Sequence, residues 1–246
     1  MNNDTERFWH IRASNYDKLY WAKDGDYLDA IVETAHFTRN DLVLDVGTGT
    51  GVVAERIKPL VRHIVALDIS GSMLEKRRWE GVSVVKWDIR ATLFADDLFD
   101  KIVARMVFHH ILNDLNEAMR QCRRALKAGG KLIIAEGVPP SNSRKVVDWY
   151  SSMFALKEER RTFTEKQLVG YLGANGFRNI QTTVYMMDNF SIKNWLRNSG
   201  LSKENQCKIM QIHTSADKTI KDAYQMKIKG DDCLVRTKNL IITAEK

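Results

Sequence analysis

Apolar positions recur at helical spacing at the start of the chain. Trp9, Ile11, Tyr16, Leu19, Tyr20, Leu28, Ile31 and Val32 predict helices over residues 5–36. The period then changes. Short Val/Ile/Leu runs follow, LVLDV (42–46), HIVALDI (63–69), VSVVKWD (82–88), FDKIVARMV (99–107) and KLIIAEG (131–137), with helical or looping segments between them. Near-continuous apolar runs separated by helices mark parallel strands buried on both faces. The segment 51–60 is apolar at Val52, Val53 and Ile57 and stops near Pro59. The segment 114–127 carries the stripe Leu115, Met119, Cys122, Leu126 and runs into AGG, a helix-ending glycine signal. The alternation predicts a doubly wound α/β sheet.

Beyond Gly137 the rhythm breaks. PPSNS reads as a loop, 143–160 as a helix striped by Val146, Val147, Tyr150, Met153 and Phe154, and 164–174 as a helix ending at ANG. Two further strands are predicted at 177–187 and 234–246, enclosing a mostly helical insertion over about 191–228.

Composition narrows the class. The chain has 246 residues, enough for one domain with a full core, and its 44% hydrophobic and 28% charged content is that of an ordinary globular protein. Its longest apolar runs are far too short to span a bilayer, and MNNDTERFWH lacks the pattern of a signal peptide. Three cysteines, odd in number and without a CxxC pair, fit a reducing, cytoplasmic setting and argue against a metal site. A net charge of +7 raises nucleic acid as a partner. The basic residues are scattered among acids, however, as in LKEERRT and KIKGDDC, which reads as a solvated basic surface.

Candidate chemistry centres on LDVGTGTG (44–51). Glycines at 47, 49 and 51 let the backbone turn sharply and approach a ligand. GTGVVA satisfies G-x-G-x-x-G/A, so a dinucleotide is one reading, with Asp68 on its ribose. Asp45 opposes that reading, since a phosphate on this turn would meet a negative charge at about 4 kcal/mol. An ammonium would be welcome there, a ribose diol at Asp68 and an adenine amino group at Asp88, all at strand carboxyl ends. A ligand with those parts and no phosphate is S-adenosylmethionine.

VLDVGTGTG, ALDIS, WDI, FDKIVARMVFHHI and RRALKAGGKLIIAEG, in order over residues 8–140, resemble the motifs of class I S-adenosylmethionine-dependent methyltransferases. The similarity is greatest to the ubiquinone/menaquinone-biosynthesis C-methyltransferase type, a small-molecule subgroup. The resemblance implies a seven-stranded Rossmann-like sheet with its last strand antiparallel and helical lid insertions. It implies a single domain over 1–246, comprising N-terminal helices 5–36, a cofactor-binding core 40–137, lids 138–165 and 188–230, and C-terminal strands 177–187 and 234–246. Asp45, Gly47, Thr48, Gly49 and Gly51 would then surround the methionine portion. Asp68 would take the ribose with Ile69 and Met73 nearby, and Asp88 and Ile89 the adenine. Arg105 would lie at the cofactor's edge and Tyr16 would close over it.

Plainer roles stay open for several of these. Asp45 could cap the next helix, and Asp88 could cap a turn. His109 and His110 lie where an acceptor must sit, and either could take a proton, with His110 the expected base. Alternatively one hydrogen-bonds the chain and the other packs. Glu136 could face the acceptor or cap a loop, the latter favoured. Trp149, Tyr150, Phe154, Trp195 and Tyr224 could wall a pocket or fill the core. ARMV after the fourth strand departs from the Asn-Pro-Pro-Tyr type, which by resemblance counts against amide or nucleobase-amine methylation. Methyl transfer to oxygen or carbon of a small molecule is therefore expected, ahead of an RNA or protein methyltransferase and a non-catalytic scaffold. The expected partners are that acceptor and, at most, a second copy of the chain in a homodimer.

Overall fold

A computed structural model describes residues 3–246. Strands β1 (Leu42–Val46), β2 (His63–Asp68), β3 (Ser83–Lys86), β4 (Phe99–Arg105), β5 (Leu126–Val138), β6 (Arg178–Ser191), β7 (Lys227–Lys229) and β8 (Asp232–Glu245) form one sheet. Its order is β3-β2-β1-β4-β5-β8-β6, with β7 paired to β8. The first five strands pair in parallel, and β8 inserts antiparallel between β5 and β6. The expected seven strands with an antiparallel last one are present. The short β7 is an addition, a hairpin with β8 inside the segment expected to be helical.

Alternate residues on each strand go to opposite faces, and both faces are covered. Leu44, Val46, Ile102, Leu132 and Ile134 pack with α5 (Leu115–Ala125) and α7 (Glu165–Ala174). Val43, Ile64, Val103 and Ile133 pack with α2 (Gly25–Ala35) and α3 (Val52–Ile57), and the short α4 (Gly71–Leu74) follows β2. Each such aliphatic side chain contributes about 1.5–3 kcal/mol by leaving water. A third cluster lies over the strand carboxyl ends. It joins α6 (Arg144–Ala155), α8 (Ile192–Arg197), α9 (Lys203–Thr214) and α10 (Lys218–Ala223) through Tyr150, Met153, Trp195, Ile209, Ile220 and Tyr224. No described helix is long and apolar enough to cross a membrane.

Two expected boundaries move, each for a local reason. The AGG glycines do not end a helix: α5 stops at Ala125 and β5 begins at once. Pairing jumps from Phe99–Leu126 to Lys101–Lys131, so the glycines sit in an irregularity of the strand. A side chain at Gly130 would lie 2.9 Å from the Lys127 carbonyl oxygen. The N-terminal helical stretch is also broken, into α1 (Asn3–Ala13), single turns at Tyr16–Lys18 and Tyr20–Lys23, and α2. Asp24 starts α2 by accepting from the Tyr27 N–H at 2.8 Å. Arg105, at the end of β4, donates to the carbonyls of Trp21 and Ala22, both at 2.9 Å, while its guanidinium lies over Trp21 and Tyr27. The residue expected at the cofactor's edge is thus a clasp on the N-terminal segment.

Arg105→Ala should lower the unfolding free energy by about 2–4 kcal/mol, because a buried and a half-buried carbonyl lose a charged donor. Urea titration measures the loss. Limited proteolysis should show faster cleavage between residues 14 and 24; unchanged cleavage there would mean that the clasp holds nothing.

Candidate active site

The turn after β1 is left-handed at all three glycines, with φ of +64° at Gly47, +57° at Gly49 and +80° at Gly51. Two of them are crowded. A Cβ at Gly47 would fall 2.4 Å from Val107 Cγ2, and one at Gly51 would fall 2.5 Å from the Trp79 ring. Gly49 has nothing within 4 Å and is the open side of the turn. The turn also ties two acids together. Thr48 Oγ1 donates to Asp45 Oδ2 at 2.6 Å, and the Gly49 N–H donates to Asp68 Oδ2 at 2.8 Å. The second Asp68 oxygen accepts from the Ser70 N–H at 2.9 Å.

Both acids are buried, and burial pushes both upward, Asp45 to about 7. Among the described residues, neither has a cationic side chain as hydrogen-bond partner. Asp68 adds a like charge beside Asp45, with Arg105 a smaller opposing influence. Met73 and Ile89 are buried beside these strand ends and Ile69 is half-buried. Asp88 is differently placed. Both its oxygens are held by the Arg90 guanidinium, and one also accepts the Arg90 N–H at 2.9 Å. Burial raises its pKa, but Arg90's hydrogen bonds and charge outweigh that and leave it below the usual value. Its oxygens are committed to the turn.

A cavity opens at the carboxyl ends of β4 and β5 and along the amino half of β8. No residue of the glycine turn lines it; Tyr16, His109, His110, Tyr150, Phe154 and Trp195 do. Tyr16 is the hinge between the two regions. Burial raises its phenol, which feels Arg12 and Glu158 from the cavity as well as Asp68 from the turn. Trp149 is set back from the cavity, against His213 and Tyr224.

The histidines occupy a single turn, Phe108–His110, just after Met106, whose φ of +58° is strained for a side chain of that size. His109 Nδ1 lies 2.6 Å from Glu136 Oε2, and the N–H groups of Val107 and His109 donate to Glu136 Oε1 at 3.1 and 3.3 Å. Above about pH 7, where Glu136 is ionised and only accepts, Nδ1 carries the hydrogen and Nε2 keeps its lone pair. Burial raises Glu136 to about 7. Burial also holds both imidazoles well below their ordinary value, and hence neutral. His110 packs on its neighbours, 4.8 Å from the Trp9 ring and 4.0 Å from His109.

The family model of the methyltransferase domain matches residues 44–134, from the glycine turn to β5. The chain is 36% identical over 154 residues to the demethylmenaquinone methyltransferase of Thermotoga maritima, covering 59% of this chain and 66% of that protein. Other curated relatives are spanned over 47–58% of their length. Among solved structures, YcgJ of Bacillus subtilis superposes with a TM-score of 0.80 at 20% identity, covering 90% of this chain and 98% of that one. Phosphoethanolamine N-methyltransferase 2 of Haemonchus contortus, in complex with S-adenosyl-L-methionine, gives 0.61 at 18% identity over 90% of this chain and 52% of that one. At these identities the structures establish a shared fold.

The matched segment 44–134 supplies the turn and the histidines, but the cavity's charges come from outside it. The run LKEERRT, expected on a solvated surface, folds inward: the side chains of Lys157, Glu158 and Arg160 are 8, 2 and 6% exposed. Glu158 accepts from Lys157 at 2.7 Å and pairs with Arg12 of α1 at 2.6 Å, with Arg160 at 3.7 Å. No periodicity marks these residues in the sequence. A carboxylate oxygen of Glu158 and a ring nitrogen of each histidine lie within 4.8 Å of one another, a spacing that could suit a metal ion. The three cations around Glu158 disfavour a divalent ion there.

Glu136 carries a pH signature. Its folded pKa of about 7 exceeds the ordinary 4.5, so the folded state keeps a proton that the unfolded chain releases. That contribution is complete below about 4.5 and is lost as pH rises to about 7. Between pH 5 and 8 the stability of the wild type relative to Glu136→Gln should therefore fall by about 2–3 kcal/mol. Denaturant titrations across that range test it; parallel profiles would mean that Glu136 does not titrate there.

Proposed function

We propose that the chain is an S-adenosylmethionine-dependent methyltransferase acting on oxygen or carbon of a small-molecule metabolite. The observation that carries this is the pair of buried acids, Asp45 and Asp68, joined through Thr48 and Gly49 at the ends of adjacent strands. A pyrophosphate on this turn would meet two negative groups. An ammonium and a ribose diol would meet partners. The similarity to demethylmenaquinone methyltransferase supports the same reading.

The residues fit that cofactor. Asp45, Gly47, Thr48, Gly49 and Gly51 would hold its methionine portion, and Asp68 its ribose between Ile69 and Met73. Ile89 would pack on the adenine while Asp88, engaged by Arg90, shapes the turn beside it. Tyr16 would close over the cofactor at the edge of the cavity, leaving the methyl group open to the acceptor. Once bound, the cofactor supplies a methyl group already activated on a sulfonium. What remains is alignment, exclusion of water and a place for one proton. The aromatic walls exclude water. The proton goes to His109 Nε2, since Glu136 orients that ring and leaves this nitrogen as the acceptor. His110, expected from the sequence as the base, has packing neighbours and becomes a wall of the site. We further infer one domain over 1–246, with 138–165 and 188–230 as lids. The three free thiols support a cytoplasmic setting; a homodimer is retained as a reading for sedimentation to test.

Calorimetry with S-adenosylhomocysteine, which keeps the ammonium and ribose, tests the cofactor reading. It should bind where NAD does not, and Asp68→Ala should weaken it by about 2–3 kcal/mol. Binding an ammonium needs ionised Asp45, so affinity should rise with pH and level off above about 7. In Asp45→Asn that rise should vanish. Equal NAD binding, or no binding of the sulfur nucleoside, would overturn the reading.

A further inference from the structure

The cavity wall holds more positive charge than the chain balances. Arg12, Lys157 and Arg160 converge on one carboxylate, Glu158, and all four side chains are more than nine-tenths buried. Buried ions are expensive unless paired, and here one negative charge answers three positive ones. The hydrogen-bond pattern shows the same deficit. Arg12 Nη1 reaches Glu158 and Nε reaches the Ser199 carbonyl at 3.3 Å, but buried Nη2 has no partner among the described residues. Arg160 makes only long contacts, Nε to its neighbour's carbonyl at 3.3 Å and Nη2 to the Tyr150 hydroxyl at 3.5 Å.

The surroundings are flat and apolar. The Arg160 guanidinium stacks 4.2 Å from the Phe154 ring centroid, and Lys157 lies over Phe154 and Trp195. Tyr150 and Trp195 continue the wall of the same cavity. Two guanidinium forks beside stacked rings suit a planar anion joined to a planar body.

We propose that the methyl acceptor is an organic carboxylate with a flat apolar body, its carboxylate seated on Arg12 and Arg160 beside Lys157. The word acceptor rests on the methyltransferase reading; the seat stands on the cavity alone. A singly charged group fits better than a phosphate. Burial lowers Lys157 to about 7, against the opposing pull of Glu158, and raises Glu136, which faces Arg160, to about 7, so near neutral pH the surplus is about one charge. The anion replaces the missing partner of Arg12 Nη2 and offsets that surplus.

Three probes of one shape decide the matter: 1-naphthoate, neutral 1-naphthamide and 1-naphthyl phosphate, titrated into the full chain by calorimetry. The carboxylate should bind at least about ten-fold tighter than the amide, the loss expected when a charged partner is replaced by a neutral one. Arg160→Met and Arg12→Met should each weaken 1-naphthoate about ten-fold or more, with 1-naphthamide and S-adenosylhomocysteine little changed. Circular dichroism checks folding, and Arg160→Lys, keeping the charge without the fork, should fall between. Amide binding as tight as carboxylate, or absence of carboxylate binding at millimolar concentration, would overturn the seat. Tighter binding of the phosphate would overturn the carboxylate assignment. Failure of S-adenosylhomocysteine to bind the wild type, with 1-naphthoate still bound, would sink the methyltransferase reading and leave the seat standing.

Discussion

Glu158 is the point on which the cavity depends. Its carboxylate is nearly excluded from water, with side-chain exposure of 2%. It joins α1, through Arg12, to the segment that follows α6, through Lys157 and Arg160. Those segments are remote in sequence, and this pairing brings both to one space. Removing one partner from a buried ion pair costs about 3–5 kcal/mol, because the other charge is left behind. The cavity's shape and its electrostatics therefore have a common origin.

The site that results is polarised. On the turn side, Asp45 and Asp68 are buried acids without a cationic hydrogen-bond partner among the described residues. On the cavity side, Arg12, Lys157 and Arg160 outnumber Glu158. Tyr16 stands between and feels both. Each side alone is destabilised by desolvation, and each would be relieved by a ligand of the opposite sign. Strain of this kind is stored by the fold: the parallel sheet gathers the strand ends, and the crowded glycines at 47 and 51 fix the turn that binds the two acids together.

The sheet was legible because burial on both faces forces nearly unbroken apolar runs, as in Leu132, Ile133 and Ile134. The glycine turn was legible because only glycine adopts its φ values without strain. The helix over 164–174 was placed from its ANG ending, and the structure shows its start held by a Thr164–Gln167 capping box. Charge in context was not. Lys157, Glu158 and Arg160 have the composition of a solvated stretch, and nothing local says that Arg12 will arrive from another helix to bury them. His109 and Glu136 are likewise separated in sequence, so the partner that distinguishes one histidine from the other emerges only when β4 and β5 pair. The hairpin at β7 escaped notice because three exposed residues, Lys227–Lys229, carry no burial pattern at all.

The two halves of the cavity also act on each other. Burial is the main reason His109 is a weak base, but Arg160, Lys157 and Arg12 push it the same way, and Glu158 opposes them only in part. An anion seated on those cations would cancel part of their pressure and make the imidazole more basic at the moment the acceptor arrives. Glu136 would then hold a ring whose free nitrogen is better able to take a proton. A neutral molecule of the same shape would reach the cavity but leave the base as weak as in the empty site. Selectivity would then be expressed in the rate of proton removal as well as in binding, because one set of charges governs both.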